Sequence, residues 1–251
     1  MQAGRKIYFA SDFHLGAPTT GESLKRERLI VQWLNEIQPH ADALYLLGDV
    51  FDFWFEYKKA VPKGFVRFLG KMAEFYDQGI PVHFFTGNHD LWIFDYLPHE
   101  VGFIIHREPY RLELNGKRFY MAHGDGLGQG DGRFKLLKKI FTNPIAQWLF
   151  GRLHPNLGIA LAHSWSLSSR NVHEIPDEFR GEDQEVLVQH ARNMLEKKHF
   201  DYLIFGHRHV AIDYPLNEVS RYINLGDWIY HNTYGVFDGE DFYLKTYNPS
   251  R

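Results

Sequence analysis

Short apolar runs alternate with amphipathic stretches along most of this chain. Ile7–Ala10, Ala43–Leu47 and Pro81–Thr86 are brief and almost wholly apolar, the pattern of strands buried on both faces. Between the first two, Glu22–Ile37 places Leu29, Ile30, Trp33, Leu34 and Ile37 on one side of a helix. Gly64–Gln78 repeats the pattern with Phe65, Phe68, Leu69, Met72 and Phe75, and Gly79 supplies its stop. Ile104–Ile105, Tyr110–Leu114 and Arg118–Ala122 read as further strands, the last two joined through Asn115-Gly116. Gly181–His199 reads as a helix and Tyr202–Phe205 as the strand after it. Tyr222–Leu225, Tyr234–Phe237 and Phe242–Tyr247 complete the set, with a turn at Asp238-Gly239. Strands alternating with helices, then hairpins, predict a layered α/β sandwich with mixed sheets. A chain of 251 residues can bury one sizeable core, so 1–251 is read as a single domain.

One segment exceeds what that scaffold needs. Residues 127–180 are predicted to form a helical insertion. Phe134–Phe141 is apolar and basic, with Arg133, Lys135, Lys138 and Lys139. Asn143-Pro144 has the form of an N-cap followed by Pro at the first helical position, and Pro155 opens another helix. The insertion is expected to act as a lid beside the site; its other reading is a subdomain packing its own core.

Polar motifs stand where the apolar runs end. Asp12 and His14 are two apart, so a strand points both to one face. Gly48 permits a tight exit for Asp49, placed to bridge two ions through its two oxygens, while Asp52 suits the orienting of a histidine. Asn88 offers a neutral oxygen ligand. His89 projects differently and reads as a general acid or transition-state donor. His123 ends one strand; His207 and His209 repeat the two-apart spacing after another. Each motif alone also fits a cap, a turn or a surface loop. Together they supply ligands for two metal ions sharing one carboxylate, which points to hydrolysis of phosphate esters or anhydrides. The other histidines are scattered and read as packing or surface residues; for His163 and His173, in the insertion, contact with a substrate is the second reading.

Composition narrows the chemistry. There is no cysteine, hence no thiolate zinc site, no disulfide and no thiol nucleophile. The mixed oxygen and imidazole set suits manganese, with iron or zinc as the other candidates. A net charge of -3 gives no reason to expect a nucleic-acid partner, and no obligate protein partner is evident. No cleavable leader is expected, because Ile7–Ala10 runs straight into the first motif. Leu153–Ser169 carries no charged side chain but is too polar and short for a span.

The ordered set Asp12-x-His14, Gly48-Asp49-x-x-Asp52, Gly87-Asn88-His89-Asp90, His123 and Gly206-His207-x-His209 resembles the calcineurin-like metallophosphoesterase superfamily. The likeness spans most of the chain. It implies a four-layer αββα sandwich, one metal held by Asp12, His14, Asp49 and His209, and a second held by Asp49, Asn88, His123 and His207. It pairs Asp52 with His89. Ser11–Leu15, Ala41–Asp49, Trp54 and the spacing from His123 to Asp131 are similar to the UDP-2,3-diacylglucosamine pyrophosphatases of lipid A synthesis. That branch implies a lipid-linked UDP-sugar substrate cleaved to UMP and 2,3-diacylglucosamine 1-phosphate. It also implies substrate contacts by Asn88, His89, His207, Asp131, Ser166, Ser169 and Arg170. A cytoplasmic location, peripheral to the inner membrane, follows. Lys135, Lys138 and Lys139 would then face anionic lipid, or else form an ordinary solvated face. One position departs: His89 stands where the branch usually has Arg. The alternatives are another metallophosphoesterase, such as a general phosphodiesterase or phosphatase, and a non-catalytic scaffold of the same fold.

Overall fold

The computed structural model describes residues 4–128, 132–170 and 178–249, with the side chains at 133, 134, 163 and 165–170 outside that description. Two sheets face each other. The first has six strands: β1 (Lys6–Ala10), β2 (Ala41–Leu46), β3 (Val82–Phe85), β4 (Ile104–His106), β10 (Thr233–Phe237) and β11 (Phe242–Thr246), ordered β11-β10-β1-β2-β3-β4. The second has five: β5 (Tyr110–Leu114), β6 (Lys117–Met121), β7 (Tyr202–Phe205), β8 (Ala211–Pro215) and β9 (Arg221–Leu225), ordered β5-β6-β7-β9-β8. β1, β2, β3 and β4 run parallel, as do β6, β7 and β9, and the hairpins add antiparallel edges.

Strand alternation builds the layers. Ile7, Phe9, Ala43 and Tyr45 of the first sheet meet Phe119, Met121, Tyr202, Ile204 and Ile223 of the second. Phe9 is fully buried and stacks on Tyr45 at 5.3 Å and on Phe119 across the gap at 6.3 Å. The intervening residues face outward. Tyr8, Leu44, Leu46 and Phe84 pack under α1 (Thr20–Ile37), α2 (Val66–Asp77) and α3 (Tyr96–Val101). Tyr120, Leu203, Phe205 and Tyr222 pack under α7 (Val186–Leu195). The result is the αββα sandwich, with seven α-helices among the described residues.

Helix ends explain most boundary differences. α1 starts two residues before the expected Glu22, because the Thr19 side chain accepts from Glu22 N. α2 starts late: Phe65 is left-handed, and the Glu27 carboxylate of α1 caps it by accepting from Arg67 N and Phe68 N. α7 spans only Val186–Leu195 of the expected Gly181–His199, since Gly181 has φ +89° and the chain turns before Glu185. The Asn115-Gly116 hairpin forms, both residues at positive φ.

The segment between β6 and α7 carries α4 (Gly132–Phe141), α5 (Pro144–Phe150) and α6 (Pro155–Arg170). Asn143 caps α5 by accepting from Ile145 N and Ala146 N. Phe150 docks α5 on the body, with its ring 4.8 Å from Phe55 and 4.6 Å from Trp92. Trp92 Nε1 donates to Phe141 O at 2.6 Å. Two of the three lysines bond inward: Lys138 Nζ to Asp125 Oδ2 at 2.6 Å and Lys135 Nζ to Gly128 O at 2.8 Å. Leu136, Ile140, Ile145, Trp148, Leu149 and Leu161 stay exposed. Among the described residues no helix is long and apolar enough to cross a membrane.

Candidate active site

The motifs converge beyond the C-terminal ends of β1, β2, β3, β6 and β7. Parallel strands in both sheets deliver their loops to one end of the sandwich, where the two rows of polar side chains meet. The loops are tightly bent. Asp12, His14, Asp49, His207 and His209 all have positive φ, between 43° and 70°. Each such non-glycine residue costs on the order of 1–3 kcal/mol, strain that concentrates where side chains must be aimed. Gly48 (φ +87°) lets the backbone pass His123: a Cβ there would lie 2.6 Å from His123 Nδ1.

Among the described residues three groups of side chains are spaced to hold a cation: Asp12, His14 and His209; Asp49, His123 and His207; and His14, Asp49 and His89. Asp49 joins them. Its Oδ2 lies 3.3 Å from His123 Nε2 and 3.8 Å from His14 Nε2. Its Oδ1 accepts from His89 N at 2.9 Å, so one oxygen faces both sets where the sequence suggested two. Asn88 Oδ1 sits 3.3 Å from His123 Nε2 and 3.1 Å from His207 Nδ1. His14 Nε2 and His209 Nε2 are 3.2 Å apart. Asp12 Oδ1 is buried, makes no hydrogen bond among the described residues, and lies 3.3 Å from His209 Nε2.

This donor set fits divalent cations. Burial alone disfavours an imidazolium, yet Asp49 pushes His123 up to about 10 and Asp12 pushes His209 up to about 10. An environment that favours positive charge at those nitrogens equally favours a bound cation. His207 goes the other way, pushed down to about 4 by burial and by His123. Burial opposes ionisation of Asp12 and Asp49, but their histidine neighbours hold both carboxyls below the usual range.

His89 and Asp52 meet, though not as a simple carboxylate–imidazole pair. His89 Nδ1 donates to the Asp52 carbonyl at 2.9 Å, while Asp52 Oδ1 is 3.8 Å from His89 Nδ1 and 3.5 Å from His14 Nδ1. Asp52 thus lies beside His14 as well as His89. Asp90 ties two loops together: its oxygens accept from Gly87 N at 2.7 Å and Val50 N at 2.9 Å.

Of the expected substrate contacts, Asn88, His89 and His207 line this centre. Ser166, Ser169 and Arg170 fall on α6 with side chains outside the described residues, as does the side chain of His163. Asp131 and His173 lie outside the described residues altogether. Sequence reasoning missed Asp227, which sits behind His209, and Glu185, which is paired through both oxygens with Arg208 at 3.0 Å. The signal for Asp227 was available: Leu225-Gly226-Asp227 repeats the apolar strand, Gly and Asp of Leu47-Gly48-Asp49.

The calcineurin-like phosphoesterase family profile matches residues 5–211. The chain belongs to that family. A UDP-2,3-diacylglucosamine hydrolase of Porphyromonas gingivalis is 40% identical to it, over 96% of this chain and 97% of the relative. Proteins of the same name from Aeromonas hydrophila (30% identical, 88% of this chain and 89% of the relative) and Actinobacillus succinogenes (29%, 89% and 92%) are also similar.

Proposed function

We propose that this chain hydrolyses the pyrophosphate of UDP-2,3-diacylglucosamine to UMP and 2,3-diacylglucosamine 1-phosphate, a step of lipid A biosynthesis. The observation that carries the chemistry is the double convergence on Asp49 Oδ2, with His14 on one side and His123 on the other. One divalent cation is assigned to Asp12, His14, Asp49 and His209, and a second to Asp49, Asn88, His123 and His207. Manganese best matches a set of oxygens and imidazoles without thiolate. Such a pair, when bound, activates water for in-line attack and neutralises charge on the phosphoryl oxygens.

His89 and Asp52 are the catalytic side chains in this reading. A carbonyl only accepts, so His89 Nδ1 carries the proton and a neutral ring presents a lone pair at Nε2. Burial lowers the His89 pKa. A docking phosphate favours the protonated ring by charge attraction, and a proton at Nε2 would make His89 a donor to the transition state. The leaving group of an anhydride is itself a phosphate, a weak base, which lessens the proton donation required.

The substrate assignment draws on the names of the relatives and on the apolar face of α4–α6. In this reading, residues 127–180 form a lid over the acyl chains, and Asp131, Ser166, Ser169 and Arg170 contact the headgroup. The exposed apolar side chains, with Lys139, rest on the cytoplasmic leaflet of the inner membrane. His89, where Arg is usual in the lipid A branch, favours a second reading as another metallophosphoesterase with a simpler phosphodiester substrate. The test is UMP release from UDP-2,3-diacylglucosamine with manganese. Release abolished in Asp49→Asn supports the proposal. No release above that control, with a generic aryl phosphodiester still cleaved, transfers the enzyme to the second reading.

A further inference from the structure

We infer that Asp227 is the positioning residue for His209, and that it sets the affinity of the Asp12–His14–Asp49–His209 cation site; this rests on the two-cation reading above. The ligand histidines differ in what holds their rings. His14 and His123 are buried, and the far nitrogen of each has a neighbour: Asp52 Oδ1 at 3.5 Å from His14 Nδ1, and Leu47 O at 2.7 Å from His123 Nδ1. His209, like His207, is only half-buried: its side chain is 31% exposed, so packing alone does not fix its ring. Its Nε2 faces Asp12 and His14. Its Nδ1 faces Asp227 Oδ2 at 3.5 Å.

Asp227 is built to be rigid. It is fully buried, and Oδ1 accepts from Ile229 N, Tyr230 N and His231 N at 3.0, 2.8 and 3.1 Å. Among the described residues Oδ2 makes no hydrogen bond and is left free to accept; His209 Nδ1, at 3.5 Å, is its ion-pair neighbour. The same loop holds another ligand of this site, since Trp228 N donates to Asp12 O at 3.2 Å. Gly226-Asp227-Trp228 therefore supports Asp12 through its backbone and His209 through a carboxylate. An acceptor at Nδ1 keeps the proton on that nitrogen and leaves Nε2 free to ligate, the arrangement of carboxylate–histidine–metal triads.

Asp227→Asn tests the assignment. Three N–H groups converge on Oδ1 and compel the amide oxygen to stay there. The amide NH2 must then face His209 Nδ1, donate to it, and place the ring proton on Nε2. Manganese affinity at one site should fall roughly 10–100-fold, so the dialysed variant retains one ion per chain where the wild type retains two. Melting of the metal-free protein should change little, because the Oδ1 bonds survive. Two ions retained at wild-type affinity would overturn the inference. A wild type that binds no manganese would overturn the two-cation reading and this inference with it. If the variant does not fold, the wild type decides. In zinc-loaded protein with 15N-labelled histidine, His209 should show a slowly exchanging proton on Nδ1. An Nδ1 proton exchanging as fast as that of an exposed imidazole would overturn the role of Asp227.

Discussion

Replacing Gly48 with alanine adds one methyl group at the tightest point behind the site. The methyl would lie 2.6 Å from His123 Nδ1 and 2.9 Å from Gly87 Cα. Gly87 is backbone and cannot yield, so the His123 ring must. It then loses its bond to Leu47 O (2.7 Å) and its place 3.3 Å from Asn88 Oδ1. Two costs add. A side chain at φ +87° costs about 1–2 kcal/mol. A buried carbonyl left without its donor costs a further 1–3 kcal/mol or so. Together these come to about 2–5 kcal/mol, or roughly 4–20 °C in melting temperature for a chain this size. Gly181→Ala is a matched control: its φ is +89°, and among the described residues nothing lies within 4 Å of the added methyl. It should show the backbone cost alone. The assay is thermal unfolding of both variants, with manganese content measured after dialysis. Gly48→Ala should melt several degrees below Gly181→Ala and lose the cation assigned to Asn88, His123 and His207. Equal melting temperatures with both ions retained would refute the account of His123.

Two further predictions address the rest of the molecule. Phe150→Ala removes a half-buried ring from between Phe55 and Trp92, at a cost of about 1–3 kcal/mol, less than for a full core Phe. KM for the lipid substrate should rise severalfold while cleavage of a small aryl phosphodiester is unchanged; equal effects on both would contradict a lid role for α5. His83, stacked on Tyr45 at 4.3 Å, is pushed down to about 4 by burial and by His106. Its unfolded value is about 6.5, so between the two the unfolded chain carries the proton and the native chain does not. Stability should therefore be complete above about pH 6.5 and fall as pH drops toward about 4. His83→Phe should flatten that slope in urea titrations; an identical slope would refute the assignment.

What the sequence revealed and what it hid divide along physical lines. β1, β2, β3 and β7 were legible because burial on both faces leaves short, unbroken apolar runs. The candidate ligands were legible because each stands where such a run ends. α3 was not, because its cap is the carboxylate of Glu56, which accepts from Phe94 N, Asp95 N and Tyr96 N across a gap of some forty residues. β8 was not, because it is an edge strand carrying Asp213 and Pro215, which read as a loop. Lys138 read as a surface charge because its partner, Asp125, approaches only in the fold. Asp227 repeated a signature already seen at Asp49, and went unread because it lies beyond the last histidine motif.

The central claim is a pair of cations sharing Asp49. Crystals of manganese-loaded protein, measured at the manganese absorption edge, test it most directly. Two anomalous peaks flanking Asp49 Oδ2 are expected, one beside Asp12, His14 and His209 and the other beside Asn88, His123 and His207. A single peak, or two that do not share Asp49, would contradict it.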